Sequence, residues 1–122
     1  MSVSPEYKEL VEELFHPLGP VTIRRMFGGG GVFYRDLMFA LIADETLFMK
    51  VDDTNRPDYE AAGQGPFTYE TSKGSRAMNG YFQLPDELLD EPEELLDWAR
   101  KSVDVAIRAN TKKPKRPRKK KK

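Results

Sequence analysis

The sequence contains no cysteine, only one histidine and no long apolar run. Without cysteine there is no disulfide framework, no thiolate nucleophile and no cysteine-based zinc site. No stretch approaches the roughly 20 consecutive apolar residues of a membrane-spanning helix. The residues after Pro5 follow an acidic helical pattern, which is unlike an apolar signal segment. These absences argue against secretion and membrane insertion and predict a cytoplasmic protein.

The charges that are present are divided unevenly along the chain. The 122 residues carry 20 bases and 20 acids, but nine of the bases fall in residues 111 to 122, which contain no acid. Residues 1 to 110 therefore have a formal charge of −9 and the remainder +9. A chain of this length buries one core. We predict one domain over residues 1–110 and a disordered polybasic tail over residues 111–122.

Apolar spacing and capping residues predict three helices. The first starts at Ser4 and Pro5, and its inner face would carry Tyr7, Leu10, Val11, Leu14 and Phe15. A short helix is predicted over residues 52–63, with an Asp or Thr cap and a left-handed Gly63 at its end. A capping box between Asp90 and Glu93 predicts the last helix. Its inner face would carry Leu95, Ala99, Ser102, Val103, Ala106 and Ile107, with Trp98 at the edge.

Between these helices the apolar period changes to two, which indicates strands. Four strands are predicted over residues 21–27, 31–35, 38–43 and 46–51. Two more, over residues 67–70 and 77–84, would form a hairpin. The short connections favour an antiparallel meander. The order α-β-β-β-β-α-β-β-α predicts a two-layer α+β fold, with helices packed on one antiparallel sheet of about five to six strands.

The residues around the glycine run are a candidate site for docking a partner or an anion: Arg24, Arg25, Gly28 and Gly29. The run opens a strand rather than a helix, so it is not a phosphate-binding loop. A hairpin in which glycines supply positive φ or a bulge explains it better. Arg25 has the parity of Val21 and Ile23, and if it points inward it needs a partner. A structural ion pair and a docking arginine both remain open.

Eight aromatic residues fall in the predicted strands, so some must lie on the face away from the helices: Phe33, Tyr34, Phe39, Phe48, Phe67, Tyr69, Tyr81 and Phe82. Exposed aromatics on a sheet can stack nucleobases, but the acidic charge of the domain opposes a phosphate backbone. We therefore favour core packing or a protein interface for them.

The tail is a polycation with nine bases: Lys112, Lys113, Lys115, Arg116, Arg118, Lys119, Lys120, Lys121 and Lys122. It can attract DNA or RNA without sequence specificity and with strong salt dependence. A solubilising extension and a segment folded back on the acidic domain are the alternatives.

No pattern in the chain indicates catalysis. His16 precedes Pro17 at a helix end and is explained as a capping or surface residue. The acids form no metal-binding motif. We predict no enzyme activity, no catalytic residue, no metal site and no cofactor.

Five segments, taken in their order along the chain, carry a family resemblance: Arg24 to Gly29, Met38 to Asp44, Leu47 to Asp52, Gly65 to Tyr69, and the Trp98-Ala99-Arg100 helix. Together, over about residues 6 to 109, they resemble the N-terminal domain of TfoX/Sxy competence regulators. The resemblance implies a bacterial source, a two-layer fold with an antiparallel sheet, and a role in transcription of competence genes. It also implies a partner of the cyclic-AMP receptor protein type.

Two hypotheses of function remain. The first is a regulatory module, monomeric or homodimeric, that docks a protein through its sheet or glycine turn while the tail attracts nucleic acid. The second is a domain that binds a small ligand or peptide in an apolar groove between sheet and helices.

Overall fold

A computed structural model describes residues 4–26 and 29–112, apart from the side chain of Lys112. The helices are α1 (Pro5–Phe15), α2 (Arg56–Ala61) and α3 (Pro92–Lys112). Two short 3-10 helices, His16–Leu18 and Asp86–Asp90, follow α1 and precede α3. The strands are β1 (Val21–Met26), β2 (Gly29–Tyr34), β3 (Leu37–Ala43), β4 (Thr46–Lys50), β5 (Pro66–Thr71) and β6 (Gly74–Gln83).

The six strands form one antiparallel sheet in the order β1-β2-β3-β4-β6-β5. The predicted α+β fold class and its element order are confirmed. The first four strands are a meander, and β6 then pairs with β4. Strand β5 consequently lies at the sheet edge. Most of the β5–β6 hairpin extends beyond β4, and residues 68–79 are exposed.

All three helices contribute to a single core on one face of the sheet. Val11 and Phe15 of α1, Tyr59 of α2 and Leu95 of α3 are almost completely buried there. The strands supply Val32, Phe39, Ala40, Ile42, Leu47, Met49 and Phe82. A register shift between Val32 and Phe33 lets two successive β3 residues, Phe39 and Ala40, both enter this core. The remaining face of the sheet is therefore free of the described helices.

Two residues predicted on inner helix faces are exposed instead. Leu10 and Ile107 are each 42% exposed. At about 100° per residue, both lie at the edge of their apolar stripes. The buried centre of α1 is formed by Val11 and Phe15. On α3, Val105 is buried although the sequence pattern did not select it.

The starts of two helices also differ from the predictions. Helix α2 begins at Arg56, later than predicted, and Asn55 before it makes no side-chain capping bond. The Asp52 carboxylate instead accepts from the Thr54 amide, and its carbonyl oxygen accepts from the Arg56 amide, so Asp52 caps the turn that leads into α2. Helix α3 begins at Pro92, and the Leu95 amide donates to the Glu91 carbonyl oxygen. Asp90 belongs to the preceding 3-10 helix, and Glu91 is the residue directly before α3. The predicted capping box, which starts at Asp90, therefore lies one residue too early. At the end of α2, Gly63 is left-handed as predicted, with φ of 80°.

Candidate docking surface

The strand register defines the face that the helices leave uncovered. One row of directly paired residues crosses five neighbouring strands, from β1 to β6. Its members, each paired with the next, are Arg24, Gly31, Leu41, Phe48 and Gln83. Directly paired residues lie on the same face of an antiparallel sheet. None of these five belongs to the core against the helices. This row marks what we call the open sheet face.

Apolar side chains cover the middle of the open sheet face. Phe33 pairs with Met38, and Leu41 pairs with Phe48. The rings of Phe48 and Phe67 meet edge to face with centroids 4.9 Å apart, and Phe67 stacks with Tyr69 at 5.9 Å. Phe33, Met38, Phe48 and Phe67 are half-buried, whereas Tyr69 and Met78 are exposed. The result is a continuous apolar stripe from β2 to the β5–β6 hairpin.

Cations border this stripe and contact its rings. The Arg24 guanidinium lies 4.7 Å from the centre of the Phe33 ring, and the Lys50 ammonium lies 5.0 Å from that of Tyr81. Burial raises the pKa of Tyr81 to about 12, so the phenol beside Lys50 is neutral at physiological pH. Arg76 is paired with Tyr69 farther out on the hairpin. Cation–π contacts of this kind contribute about 0.5–1 kcal/mol each at exposed sites.

The acids are concentrated elsewhere on the molecule. Among the described strand residues only Glu70 is acidic, and strand alternation places it opposite Phe67 and Tyr69 across β5. Helix α1 alone carries four glutamates, and seven more acids lie between residues 86 and 97. The strand residues of the open sheet face are thus cationic and apolar, with Asp36 of the β2–β3 turn beside Arg24, whereas the helix side is acidic.

The two candidate arginines have different environments. Arg24 lies on the open sheet face and forms an ion pair with Asp36 at 3.4 Å. Both side chains are more than half exposed, so the pair contributes little to stability. Arg25 is paired with Gly30 on the side of the helices, but its side chain is exposed. Arg25 therefore does not carry the buried ion pair that inward placement would require.

Of the candidate glycines, Gly28 lies outside the described residues together with Phe27. Gly29 is the first residue of β2 and pairs with Met26. It does not have positive φ, so the predicted turn glycine is wrong at this position. Its role is close approach: a Cβ on Gly29 would collide with the carbonyl oxygen of Ile42 on β3. The glycines from Gly29 to Gly31 therefore belong to β2, and Gly29 packs tightly against β3.

Of the tail candidates, only the backbone of Lys112 belongs to the described part of the chain. Lys112 is the last residue of α3, two residues beyond the predicted end of the domain. Lys113, Lys115, Arg116, Arg118, Lys119, Lys120, Lys121 and Lys122 lie outside the described residues. The predicted tail and its contacts stay predictions.

The sequence pattern did not reveal that Lys50, Arg76 and the methionines beside the rings contribute to the open sheet face. Their strand parity was visible in the sequence. What was missing was the pairing of β6 with β4, which places Tyr81 next to Lys50. The helix-free face could not be assembled without that pairing.

A polar cluster at the end of β4 fixes α3 to the sheet. One Asp52 carboxylate oxygen accepts bonds from the Thr54 amide and hydroxyl, at 2.8 and 2.6 Å. The other accepts from Nη2 and Nε of Arg108, at 3.0 and 3.3 Å. Burial acts to raise the pKa of Asp52, but the Thr54 bonds and the Arg108 guanidinium lower it to about 2.

This lowered pKa predicts an acid-dependent contribution of Asp52 to folding. The ionised carboxyl stabilises the folded state above its ordinary pKa of 3.8, and the contribution disappears as the pH falls towards 2. Because the Asp52 side chain is 37% exposed, solvent screening reduces the effect to roughly 1 kcal/mol. Asp52→Asn should therefore lower the free energy of unfolding by that amount at pH 6 and much less at pH 2. Urea titrations between these pH values measure it.

The matched control for this prediction is Asp104→Asn, which changes an exposed carboxyl on α3. Its stability difference from wild type should be within about 0.5 kcal/mol. A deficit of Asp52→Asn that stays constant from pH 6 to pH 2 would show that the carboxyl charge is not the cause.

The described residues provide neither a metal site nor a membrane-spanning helix. No group of three or more histidine, cysteine or acidic side chains within residues 4–26 and 29–112 is arranged to hold a metal ion. None of the described helices is long and apolar enough to cross a membrane.

The chain belongs to the TfoX N-terminal domain family, whose model matches residues 13–106. The match runs from the end of α1 through most of α3 and includes every strand of the sheet.

A curated relative is the DNA transformation protein TfoX1 of Aliivibrio fischeri (strain ATCC 700601 / ES114), which is 28% identical over 102 residues. The alignment covers 81% of this chain and 48% of the relative. The chain thus spans about half the length of that protein.

Proposed function

We propose that this chain is a non-enzymatic regulatory module that assists transcription of competence genes by docking a protein partner. Its family membership and the name of its relative support the link to DNA transformation. The observation that carries the docking mechanism is the open sheet face, where apolar rings and methionines are not covered by the described helices. Contiguous apolar surface of this kind is typical of interaction sites.

The partner that we propose is a transcription factor of the cyclic-AMP receptor protein type. The tail would supply sequence-independent attraction to DNA near that partner. In this proposal the folded domain recognises the protein partner, and the basic tail attracts DNA electrostatically.

The test is complementation in a naturally transformable bacterium whose resident TfoX-family gene has been deleted. Expression of this chain should raise transcripts of DNA-uptake genes and transformation frequency above the deletion background, with the full-length relative as positive control. Co-purification with the cyclic-AMP receptor protein tests the proposed partner. Failure of complementation at normal protein levels would refute the proposed function.

The contribution of the tail is tested separately by fluorescence anisotropy with labelled duplex DNA across a salt series. Replacing Lys119, Lys120, Lys121 and Lys122 by Gln in the full chain should flatten the log-log salt slope by ~0.9 for each phosphate that the tail no longer neutralises. An unchanged slope would remove these lysines from the proposal.

The second hypothesis, a ligand groove between sheet and helices, receives no support. Val11, Phe15, Phe39, Met49 and Leu95 fill that space and are fully buried. We therefore do not place a small ligand there.

A further inference from the structure

We infer that the open sheet face binds an acidic, amphipathic segment of a partner protein, whose apolar side chains pack on the Phe33 to Phe67 stripe and whose carboxylates pair with Arg24, Lys50 and Arg76. The inference rests on the proposed function and names the surface and the chemistry of docking. Three observations select this occupant.

The first observation is charge complementarity. Arg24 lies at the β1 end of the stripe, while Lys50 and Arg76 lie towards the β5–β6 hairpin. The described strands place no acid on this face. The acid that approaches it is Asp36 of the β2–β3 turn, and a partner carboxylate would replace its exposed ion pair with Arg24. An apolar surface with cations at both ends complements a segment whose apolar side chains are flanked by carboxylates.

The same charges disfavour two other occupants. In a two-fold symmetric contact between two copies through this face, each copy would bring its cations against those of the other. The chain's own tail is a polycation and would be repelled by Arg24, Lys50 and Arg76. Neither the same face of a second copy nor the tail has the required charge.

The second observation concerns the ring faces. Arg24 covers Phe33, Lys50 covers Tyr81, and Phe48 meets Phe67 edge to face. Stacked nucleobases need open ring faces, so a nucleic acid would have to displace these cations. A carboxylate can pair with the same cations while they remain over the rings.

The third observation is the methionine content of the surface. Met38 is paired with Phe33, Met78 is paired with Phe67, and Met26 and Met38 both approach Gly31. Methionine side chains are flexible and polarisable, and they adapt to varied apolar partners. A methionine-rich sheet bordered by cations is suited to a peptide segment.

The test is a selection of random 12-residue peptides displayed on phage against the full-length chain. Peptides that also bind the double variant Arg24→Glu with Arg76→Glu are removed. Because that variant keeps the tail, the counter-selection also removes peptides that bind only the tail. We expect the surviving peptides to be enriched in Asp and Glu beside Leu, Phe or Trp.

A synthetic copy of a selected peptide should bind the double variant at least tenfold more weakly than wild type, as measured by fluorescence anisotropy. The matched control is Lys8→Glu with Arg100→Glu, which changes the net charge equally on exposed helix positions and should bind like wild type. Met78→Glu is a second, independent variant, because it places a carboxylate at an exposed position of the stripe. It should also weaken binding at least tenfold.

Three results would overturn the inference: no peptide distinguishes wild type from the double variant, the selected peptides lack an acidic excess, or the control weakens binding equally. A 12-nucleotide single-stranded DNA that loses affinity only for the face variants, without any discriminating peptide, would assign the face to nucleic acid instead. Sedimentation of a dimer that Met78→Glu dissociates would assign it to a second copy.

The complementation assay separates this inference from the proposed function. If wild type and the double variant complement equally, the regulatory function stands and the assignment of its surface fails. If wild type does not complement, the regulatory function fails, whereas peptide binding by the face is judged on its own result.

Discussion

Gly29→Ala should destabilise the fold by about 3 kcal/mol, the upper part of the usual range for overpacking a well-packed site. The added Cβ would collide with the Ile42 carbonyl oxygen, which belongs to the backbone of β3. A flexible side chain could rotate away, but this oxygen cannot move unless β2 and β3 separate. Urea denaturation followed by far-ultraviolet circular dichroism measures the loss.

Two other glycine substitutions make this prediction specific. Gly80→Ala on β6 introduces a Cβ into open space, so its stability should stay within about 0.5 kcal/mol of wild type. Gly31→Ala would contact the sulfur atoms of Met26 and Met38 at 2.6 and 2.9 Å. These atoms and Cε1 of Phe33, also at 2.9 Å, belong to side chains rather than to backbone, so its cost should be intermediate. Equal losses at Gly29 and Gly80 would refute the close-approach explanation.

The glycine run shows where local sequence rules reach their limit. Glycines between two extended segments are typical of a turn, and the sequence pattern predicted one there. Their function in β2 depends on the neighbouring strand, since β3 approaches too closely for a side chain at Gly29. Strand pairing between distant residues is not encoded in the spacing of one segment.

The turns illustrate the opposite case, in which short connections were sufficient. The order and direction of β1 to β4 followed from connections too short for parallel crossovers. Two of these turns are left-handed at non-glycine residues: Arg35 and Asp36 have φ of 51° and 68°, and Asp44 and Glu45 have φ of 51° and 54°. Tight hairpins with two-residue connections of this type require positive φ at both positions, so the fold overrides the ordinary preference of these side chains.

The charge division could be predicted along the chain but not across the molecule. The sequence shows an acidic domain followed by a basic tail. It does not show that the domain separates its own charges, with cations on the open sheet face and acids on the helices. That separation depends on which strand residues share a face, and the register shift between Val32 and Phe33 changes the parity along β3.

The second large expected effect is at Asn55, whose side chain is 1% exposed at the end of β4. Its Oδ1 accepts a bond from the Asp52 amide at 2.9 Å, and its Nδ2 donates to the Lys50 carbonyl oxygen at 3.2 Å. Asn55→Ala removes both bonds and leaves a cavity. The Lys50 carbonyl oxygen keeps the Ser102 donor, whereas the Asp52 amide loses its acceptor. An unsatisfied buried group costs about 1–3 kcal/mol and the cavity adds to this, so we expect a loss of roughly 2–4 kcal/mol in urea unfolding.

The controls for Asn55 use the exposed Asn79 and the second donor to Lys50. Asn79→Ala on β6 should stay within about 0.5 kcal/mol of wild type. Ser102 on α3 also donates to the Lys50 carbonyl oxygen, at 2.8 Å. Ser102→Ala should lower the free energy of unfolding by about 1 kcal/mol. The double variant with Asn55→Ala should lose more than the two single variants together, because the Lys50 carbonyl oxygen then has neither side-chain donor. Strict additivity would show that the two side chains act independently.

Asn55→Asp separates hydrogen bonding from the filling of space at this site. An aspartate has the same shape, but when ionised it cannot donate to the Lys50 carbonyl oxygen, and it lies beside Asp52. Burial and the neighbouring carboxylate raise the pKa of the new group, so its neutral form is favoured in the folded state. The variant should therefore approach wild-type stability near pH 4 and lose stability as the pH rises to 7. A stability deficit independent of pH would mean that packing, rather than the donor to Lys50, makes Asn55 necessary.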